Sequence, residues 1–160
     1  MGRISLQIKA QLENIAGIKI PADAEWNFKV KCTNCQTENE NIIYFDLLTK
    51  VELQNSRAVA SFVYKCKNCE RTGNIDYLDG SLDKYMAEHS ENWHTIATFE
   101  CRGLEPIEFH PGTSFTALSS ASDTVFGAEG GSEEIDLSDN DWAGYDEAGD
   151  ESVGIYEFAS

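Results

Sequence analysis

Two Cys-x-x-Cys pairs constrain this chain more than any other feature of its sequence. Thirty residues separate the pairs, which use four of the five cysteines. Zinc binds four thiolates in a tetrahedron with Zn–S bonds of about 2.3 Å, and one tight Cys-x-x-Cys turn places two sulfurs on the same ion. The spacing therefore predicts one structural zinc ion, with no coordination position left for a water or a substrate. The predicted ligands are Cys32, Cys35, Cys66 and Cys69.

A disulfide framework and a redox-active pair are the alternatives for these cysteines. A disulfide framework requires an oxidising compartment, but the first residues alternate apolar and polar side chains without a signal-peptide pattern. A redox pair normally begins a helix, whereas the polar runs Gln36–Asn41 and Glu70–Asn74 favour turns that end hairpins. We therefore favour zinc, and we expect a cytoplasmic location that extends to the nucleus.

The charge of the chain is strongly uneven. Asp and Glu number 28 against 12 Lys and Arg, a net charge of -16, and residues 103–160 carry 14 of the acids and no base. Nucleic-acid binding depends on cationic contacts with phosphates, so we expect no nucleic-acid partner. Lysines flank the cysteine pairs, and we expect them to point outward and to offset the charge of a zinc tetrathiolate. These are Lys29, Lys31, Lys65 and Lys67.

Alternation of apolar and polar residues dominates the first hundred positions and predicts half-buried strands. One alternating segment ends on the first cysteine of the first pair, and another ends on the first cysteine of the second pair. We therefore expect a mainly β fold of antiparallel sheets with a zinc-ribbon-like site. The longest apolar runs are far shorter than the roughly 20 residues of a membrane-spanning helix, which predicts no membrane span. The predicted strands are Ile4–Leu12, Trp26–Cys32, Ile42–Leu53, Ala58–Cys66 and Val153–Phe158, with a turn at 55–57.

A fainter pattern suggests two related halves packed together. Trp93–Cys101 resembles Trp26–Cys32, and the four residues that begin at Cys101 resemble a knuckle without its second sulfur. On this hypothesis residues 1–74 form a zinc-binding β half. Residues 75–160 then form a metal-free, strongly acidic β half with a flexible stretch near 116–134. The sequence alone leaves a duplication open.

Other candidate residues favour no catalytic site. Cys101 is expected to be a small buried hydrophobe, with a reactive thiol as the alternative. His89, His94 and His110 fit no recognised set of metal ligands, and no phosphate loop or nucleophilic triad is present. We therefore expect that the protein is not an enzyme.

The aromatic residues of the acidic C-terminal segment admit two interpretations. Trp142 and Tyr145 either anchor this segment to the core of the protein or form an exposed acidic-aromatic docking motif. We favour the anchoring role.

Several motifs together resemble the eukaryotic CXXC-motif-containing zinc-binding protein family. They are Met1–Ala10, the two cysteine pairs, Phe99–Pro106 and Glu151–Glu157, and the resemblance spans essentially the whole chain. It implies one zinc ion held by the same four cysteines. It also implies a β-rich body of two related halves, of which only the first keeps the metal.

Two functions remain as hypotheses from the sequence. The first is a monomeric, non-enzymatic interaction module with a structural zinc ion, a protein partner, and an acidic half that steers it toward a basic surface. The second is metal handling or thiol redox chemistry by the same cysteines.

Overall fold

The computed structural model describes residues 2–53, 59–127 and 134–160. Within these ranges the chain consists of antiparallel strands and one short 3-10 turn, Ala87–His89, which confirms the predicted mainly β class. The strands are β1 Gly2–Glu13, β2 Ile15–Lys19, β3 Trp26–Cys32, β4 Ile43–Phe45, β5 Val51–Glu52, β6 Val59–Ala60, β7 Phe62–Lys65, β8 Thr72–Tyr77, β9 Tyr85–Met86, β10 His94–Arg102, β11 Leu104–His110, β12 Thr116–Ser119, β13 Val125–Gly127, β14 Trp142–Asp146 and β15 Glu151–Ala159.

The contacts divide the chain into two compact units, each assembled from three separate segments. Unit 1 contains Met1–Ser5, Ala22–Leu82 and Ala97–His110, and unit 2 contains the rest of the chain. Strands β1 and β10 each contribute residues to both units. The hypothesis of two related halves, 1–74 and 75–160, stays a prediction. The two tryptophans that suggested it differ in environment, since Trp26 is fully buried and Trp93 is half exposed.

Unit 1 is built on the regular alternation of β3. Its residues alternate between buried and half-buried positions, and β3 lies between β11 and β4 in a three-stranded sheet. Strand β8 pairs with β7 on one side and with the last residues of β10 on the other. The predicted strand 42–53 is divided into β4 and β5. Ala58 and the predicted turn at 55–57 lie outside the described residues.

Phe99 is the centre of the aromatic core of unit 1. Its ring makes edge contacts with Trp26, Phe28, Phe45 and Tyr77 at centroid distances of 5.6 to 6.4 Å. Edge-to-face pairs of this kind stabilise a core beyond the burial of their area. The cluster therefore fixes β3, β4, β8 and β10 against one another.

In unit 2, strands β14, β15 and β1 are neighbours in that order within a larger sheet. A separate four-stranded sheet has the order β13-β12-β2-β9. Aromatic pairs in its core include Phe115 with Phe158 and Phe126 with Trp142, each with centroids 5.4 Å apart. Trp142 is thus an anchor, as favoured from the sequence, whereas Tyr145 of the same strand is 47% exposed.

The stretch near 116–134 is not a flexible loop throughout. Strands β12 and β13 occupy much of it, and Thr116, Ala117 and Phe126 are buried. These short strands were not predicted because the Ser- and Gly-rich runs that flank them favour loops. Residues 128–133 of this stretch lie outside the described residues.

Within the described ranges, no helix has the length and the apolar character needed to cross a membrane.

Candidate metal centre

The first cysteine pair forms a tight knuckle where β3 ends. The N–H of Cys32 donates to the carbonyl of Thr37 at 2.9 Å, and the N–H of Gln36 donates to the carbonyl of Cys32 at 2.9 Å. Gln36 has a φ of 64°, which reverses the chain after Cys35. The local hydrogen bonds therefore turn both sulfurs of this pair to the same side.

The second pair repeats this knuckle position by position after β7. The N–H of Cys66 donates to the carbonyl of Arg71, and the N–H of Glu70 donates to the carbonyl of Cys66, both at 2.9 Å. Glu70 has a φ of 62°, close to the value at the equivalent residue of the first knuckle. The same sequence spacing thus produces the same backbone twice.

The two knuckles bring four sulfurs together. The Sγ atoms of Cys32 and Cys69 are 3.6 Å apart, those of Cys35 and Cys66 are 3.7 Å apart, and all four lie within 4.8 Å of one another. A tetrahedron with Zn–S bonds of about 2.3 Å has sulfurs about 3.8 Å apart. The geometry of the cluster therefore fits a single zinc ion.

Each knuckle also supplies an asparagine to the last cysteine of the other. The Asn68 side chain, followed by the hydroxyl and N–H of Thr37, lowers the pKa of the Cys35 thiol to about 5. The N–H of Arg71, followed by the Asn34 side chain, lowers the pKa of the Cys69 thiol. Hydrogen bonds that stabilise thiolates suit a metal site, because the thiolate is the form that binds metal.

The sequence analysis did not identify these asparagines. Both pairs have the form Cys-x-Asn-Cys, so the shared asparagine was a visible signal. The pairing of each asparagine with a cysteine of the other knuckle depends on how the two knuckles meet in the tertiary structure.

The turn between β10 and β11 lies against both knuckles. The N–H of Thr33 donates to the carbonyl of Gly103 at 3.1 Å, and Leu104 is the register partner of Cys32. On the other side, a Cβ at Gly103 would lie 3.1 Å from the Cα of Gly73, just beyond the second knuckle. Gly103 has a φ of 72°, which favours glycine. This contact gives a structural reason for the Cys-Arg-Gly-Leu motif at 101–104.

Cys101 is not one of the four clustered cysteines. It lies in β10 opposite Ile75 and is 5% exposed. Burial raises the pKa of its thiol to about 11. Cys101 therefore behaves as the buried hydrophobe that the strand pattern indicated.

Two of the four flanking lysines pair with glutamates. Lys29 Nζ is 3.2 Å from a carboxylate oxygen of Glu38, and Lys31 Nζ is 3.3 Å from one of Glu105. Among the described residues, no ion pair is recorded for Lys65 or Lys67, both of which are exposed.

The three histidines lie away from the sulfur cluster. His89 and His94 stack with ring centroids 3.8 Å apart in unit 2, and His94 Nε2 is 2.8 Å from Asp83. His110 lies in β11, 3.6 Å from Glu108. Within the described residues, the four cysteines form the one group of metal-ligating side chains close enough to share an ion.

We expect the substitution Gly73→Ala to destabilise unit 1 by about 1–3 kcal/mol. The new Cβ would lie 2.7 Å from the carbonyl oxygen of Arg102 and 3.0 Å from the backbone of Gly103, neither of which can move without disturbing the turn. Urea unfolding of the purified protein measures the change. Gly2→Ala is the control, because a Cβ there meets no atom within 4 Å. Equal stabilities for the two variants would contradict the assigned contact.

The comparisons with known proteins agree with this geometry. The model of the family "CXXC motif containing zinc binding protein, eukaryotic" matches residues 5–160. A human protein called CXXC motif containing zinc binding protein is 44% identical over 158 residues, which cover 98% of this chain and 95% of that protein.

The crystal structure of C1orf123 matches with a TM-score of 0.87 and 42% identity over 99% of this chain and 96% of the other. A hypothetical protein from Plasmodium falciparum matches with a TM-score of 0.86 and 26% identity over 99% of this chain and 97% of the other. By the extent of these matches and by its four clustered cysteines, the chain belongs to the eukaryotic family of CXXC motif containing zinc binding proteins.

Proposed function

We propose that this protein is a non-enzymatic interaction module whose unit 1 is held together by one structural zinc ion. The observation that carries the proposal is the closed set of four sulfurs, all within 4.8 Å of one another. When bound, the ion supplies a rigid cross-link between the two knuckles. Four thiolates complete its tetrahedral shell, so they leave no position at which a water or a substrate binds.

The packing around the cysteines supports a structural role. Cys32 and Cys66 are each 4% exposed. Cys32 pairs with Leu104, the first residue of β11, and the preceding Gly103 lies against Gly73. A metal bound here joins segments that are far apart in the sequence. Its loss would therefore release β3, β7 and the turn together.

The charge distribution supports a partner with a basic surface. Unit 2 carries 16 Asp and Glu against 3 Lys, a net charge of -13, whereas unit 1 has a net charge of -3. The electrostatic field of a negatively charged surface attracts a positively charged partner and accelerates its association. On this proposal the protein acts as a cytoplasmic monomer, also present in the nucleus, with a protein partner and without nucleic acid.

Metal handling is the second candidate, and the exposure of two cysteines favours it. Cys35 and Cys69 are half-buried, whereas Cys32 and Cys66 are buried. A chelator or an acceptor protein reaches a half-buried thiolate more readily than a buried one. Exchange of the metal without unfolding is the property that separates this candidate from the structural role.

Removal of zinc is expected to unfold unit 1. Structural zinc sites contribute about 10–16 kcal/mol of binding energy that is also folding energy. We therefore expect zinc release to a chelator and loss of the near-ultraviolet circular dichroism signal to proceed with one rate constant. Release of zinc with the signal intact would support metal handling instead.

The variant Cys66→Ser tests the same role without a chelator. It leaves three sulfurs, so the purified protein is expected to hold less than one zinc ion and to unfold at a lower urea concentration. Cys101→Ala is the matched control, since it removes a sulfur outside the cluster and is expected to keep one zinc ion per chain. A Cys66→Ser protein with full stability and no zinc would falsify the structural role.

Asn34→Ala and Asn68→Ala are each expected to weaken zinc binding about tenfold. Each variant removes a side chain that lowers the pKa of a thiol in the opposite knuckle, while all four ligands remain. Asn68→Ala also removes the 3.1 Å hydrogen bond that Asn68 Nδ2 donates to Thr37 Oγ1. Competition with a zinc-binding dye measures the affinity. Thr33→Ala is the control, because Thr33 lies in the same knuckle, its side chain is exposed, and it is not a cause of either thiol pKa shift. An unchanged affinity in both asparagine variants would contradict their assigned role.

The interaction with a basic partner is expected to weaken as salt rises, because the Debye length shortens from about 10 Å at 0.1 M to about 3 Å at 1 M. Affinity capture from a lysate at low and high salt, followed by mass spectrometry, measures which partners are lost.

Two triple variants with equal net charge form the control for this experiment. Glu134→Gln, Glu147→Gln and Glu151→Gln neutralise exposed acids in unit 2, whereas Glu40→Gln, Glu52→Gln and Asp79→Asn neutralise exposed acids in unit 1. Only the first set is expected to reduce capture. Capture that is indifferent to salt and to both sets would contradict electrostatic docking.

A further inference from the structure

An apolar row crosses the exposed face of the four-stranded sheet of unit 2. Met86 of β9 is opposite Gly17 of β2, Gly17 is opposite Leu118 of β12, and Leu118 is opposite Val125 of β13. Met86, Leu118 and Val125 are 36%, 44% and 37% exposed. Because cross-strand partners share one face of a sheet, these side chains form a continuous apolar surface.

Glycine at position 17 creates a depression in this row. A Cβ there would lie 2.8 Å from the Sδ of Met86 and 3.2 Å from the carbonyl oxygen of Tyr85, so the Met86 side chain rests against the bare backbone. The groove has a volume of about 290 Å³. This volume is at the lower end of the range for small-molecule sites and suits one or two side chains of a larger partner.

Two lysines line the same groove. Lys19 follows Gly17 by two residues in β2, and extending the register of β2 with β9 by one residue places Lys84 opposite Lys19. Both are exposed, and neither forms an ion pair within the described residues. Like charges on opposite positions of neighbouring strands destabilise each other, so an anion bound between them relieves the repulsion.

The position of these lysines contrasts with the charge of the rest of unit 2. The unit contains three lysines against 16 acids, and two of the three line this groove. The third, Lys9, lies 6.0 Å from the ring centroid of the exposed Trp93. The groove is therefore suited to an acidic ligand, whereas the net charge of unit 2 favours a basic one.

We propose that this groove binds an extended peptide segment in which apolar residues alternate with Asp or Glu. The row spans three strand spacings, about 14 Å, which is the length of about four residues of extended chain. Two alternate apolar side chains of such a segment face the row of Met86, Leu118 and Val125, while its carboxylates point away from the sheet. The long side chains of the two lysines extend past the peptide backbone to reach these carboxylates. This inference goes beyond the proposed function, since it assigns an acidic ligand to a local site that the steering of a basic partner does not use.

The test uses the full-length, zinc-loaded protein labelled with ¹⁵N and a hexapeptide in which Leu and Glu alternate. Titration is expected to shift the amide resonances of Gly17, Leu118 and Val125 in a saturable manner. Each single charge reversal, Lys19→Glu or Lys84→Glu, is expected to weaken binding at least about fivefold. Lys9→Glu is the matched control, because it changes the net charge of unit 2 equally but lies outside the groove.

Other outcomes would overturn the proposal. They are equal or tighter binding of a hexapeptide in which Leu and Lys alternate, shifts confined to other residues, and binding that all three lysine variants leave unchanged. Shifts produced by decanoate but not by the Leu/Glu peptide would assign the groove to a small amphipathic anion. Shifts that depend on protein concentration alone would assign it to a second copy of the chain. Because the peptide is acidic, its binding can fail while the salt-dependent capture of a basic partner succeeds, and the reverse also holds.

Discussion

The contact among four cysteine sulfurs is the constraint on which unit 1 depends. Two knuckles with the same hydrogen bonds and the same positive φ present their sulfurs within 4.8 Å of one another. Without a metal, four thiolates at this distance repel one another strongly, and four neutral thiols make only weak hydrogen bonds. A zinc ion converts this repulsion into a cross-link. The ends of β3 and β7, which belong to different sheets, are thereby held together.

The turn between β10 and β11 transmits this constraint to the aromatic core. Gly103 contacts the first knuckle through its carbonyl and lies against Gly73 beyond the second, while Phe99, four residues earlier, is the centre of the core. A Cβ at either glycine would separate the backbones that meet here. The metal centre and the core are thus coupled through backbone contact at two glycines, and a larger residue at either one weakens both.

The two units differ in charge more than in architecture. Both are antiparallel β structures, but unit 2 holds a net charge of -13 and unit 1 of -3. Under the proposed function, unit 2 provides the long-range attraction of a partner, and unit 1 holds the metal. The site proposed beside Lys19 and Lys84 has the opposite preference, and its binding is expected to persist at physiological salt because its lysines lie close to the bound segment. Under the two proposals together, selection of a partner depends on two surfaces with different electrostatic requirements.

Features that depend on local spacing follow from the sequence alone. Alternation located β1 and β3, and two Cys-x-x-Cys turns of equal length identified the four sulfurs, because strand pleating and knuckle geometry involve only neighbouring residues. Tertiary structure decided what depends on long-range pairing. Examples are the contact of Gly73 with Gly103, the effect of each knuckle's asparagine on a thiol of the other, and the pairing of β12 with β2. No local pattern specifies which distant strand becomes a neighbour, since that choice is made by the burial and hydrogen bonding of the whole chain.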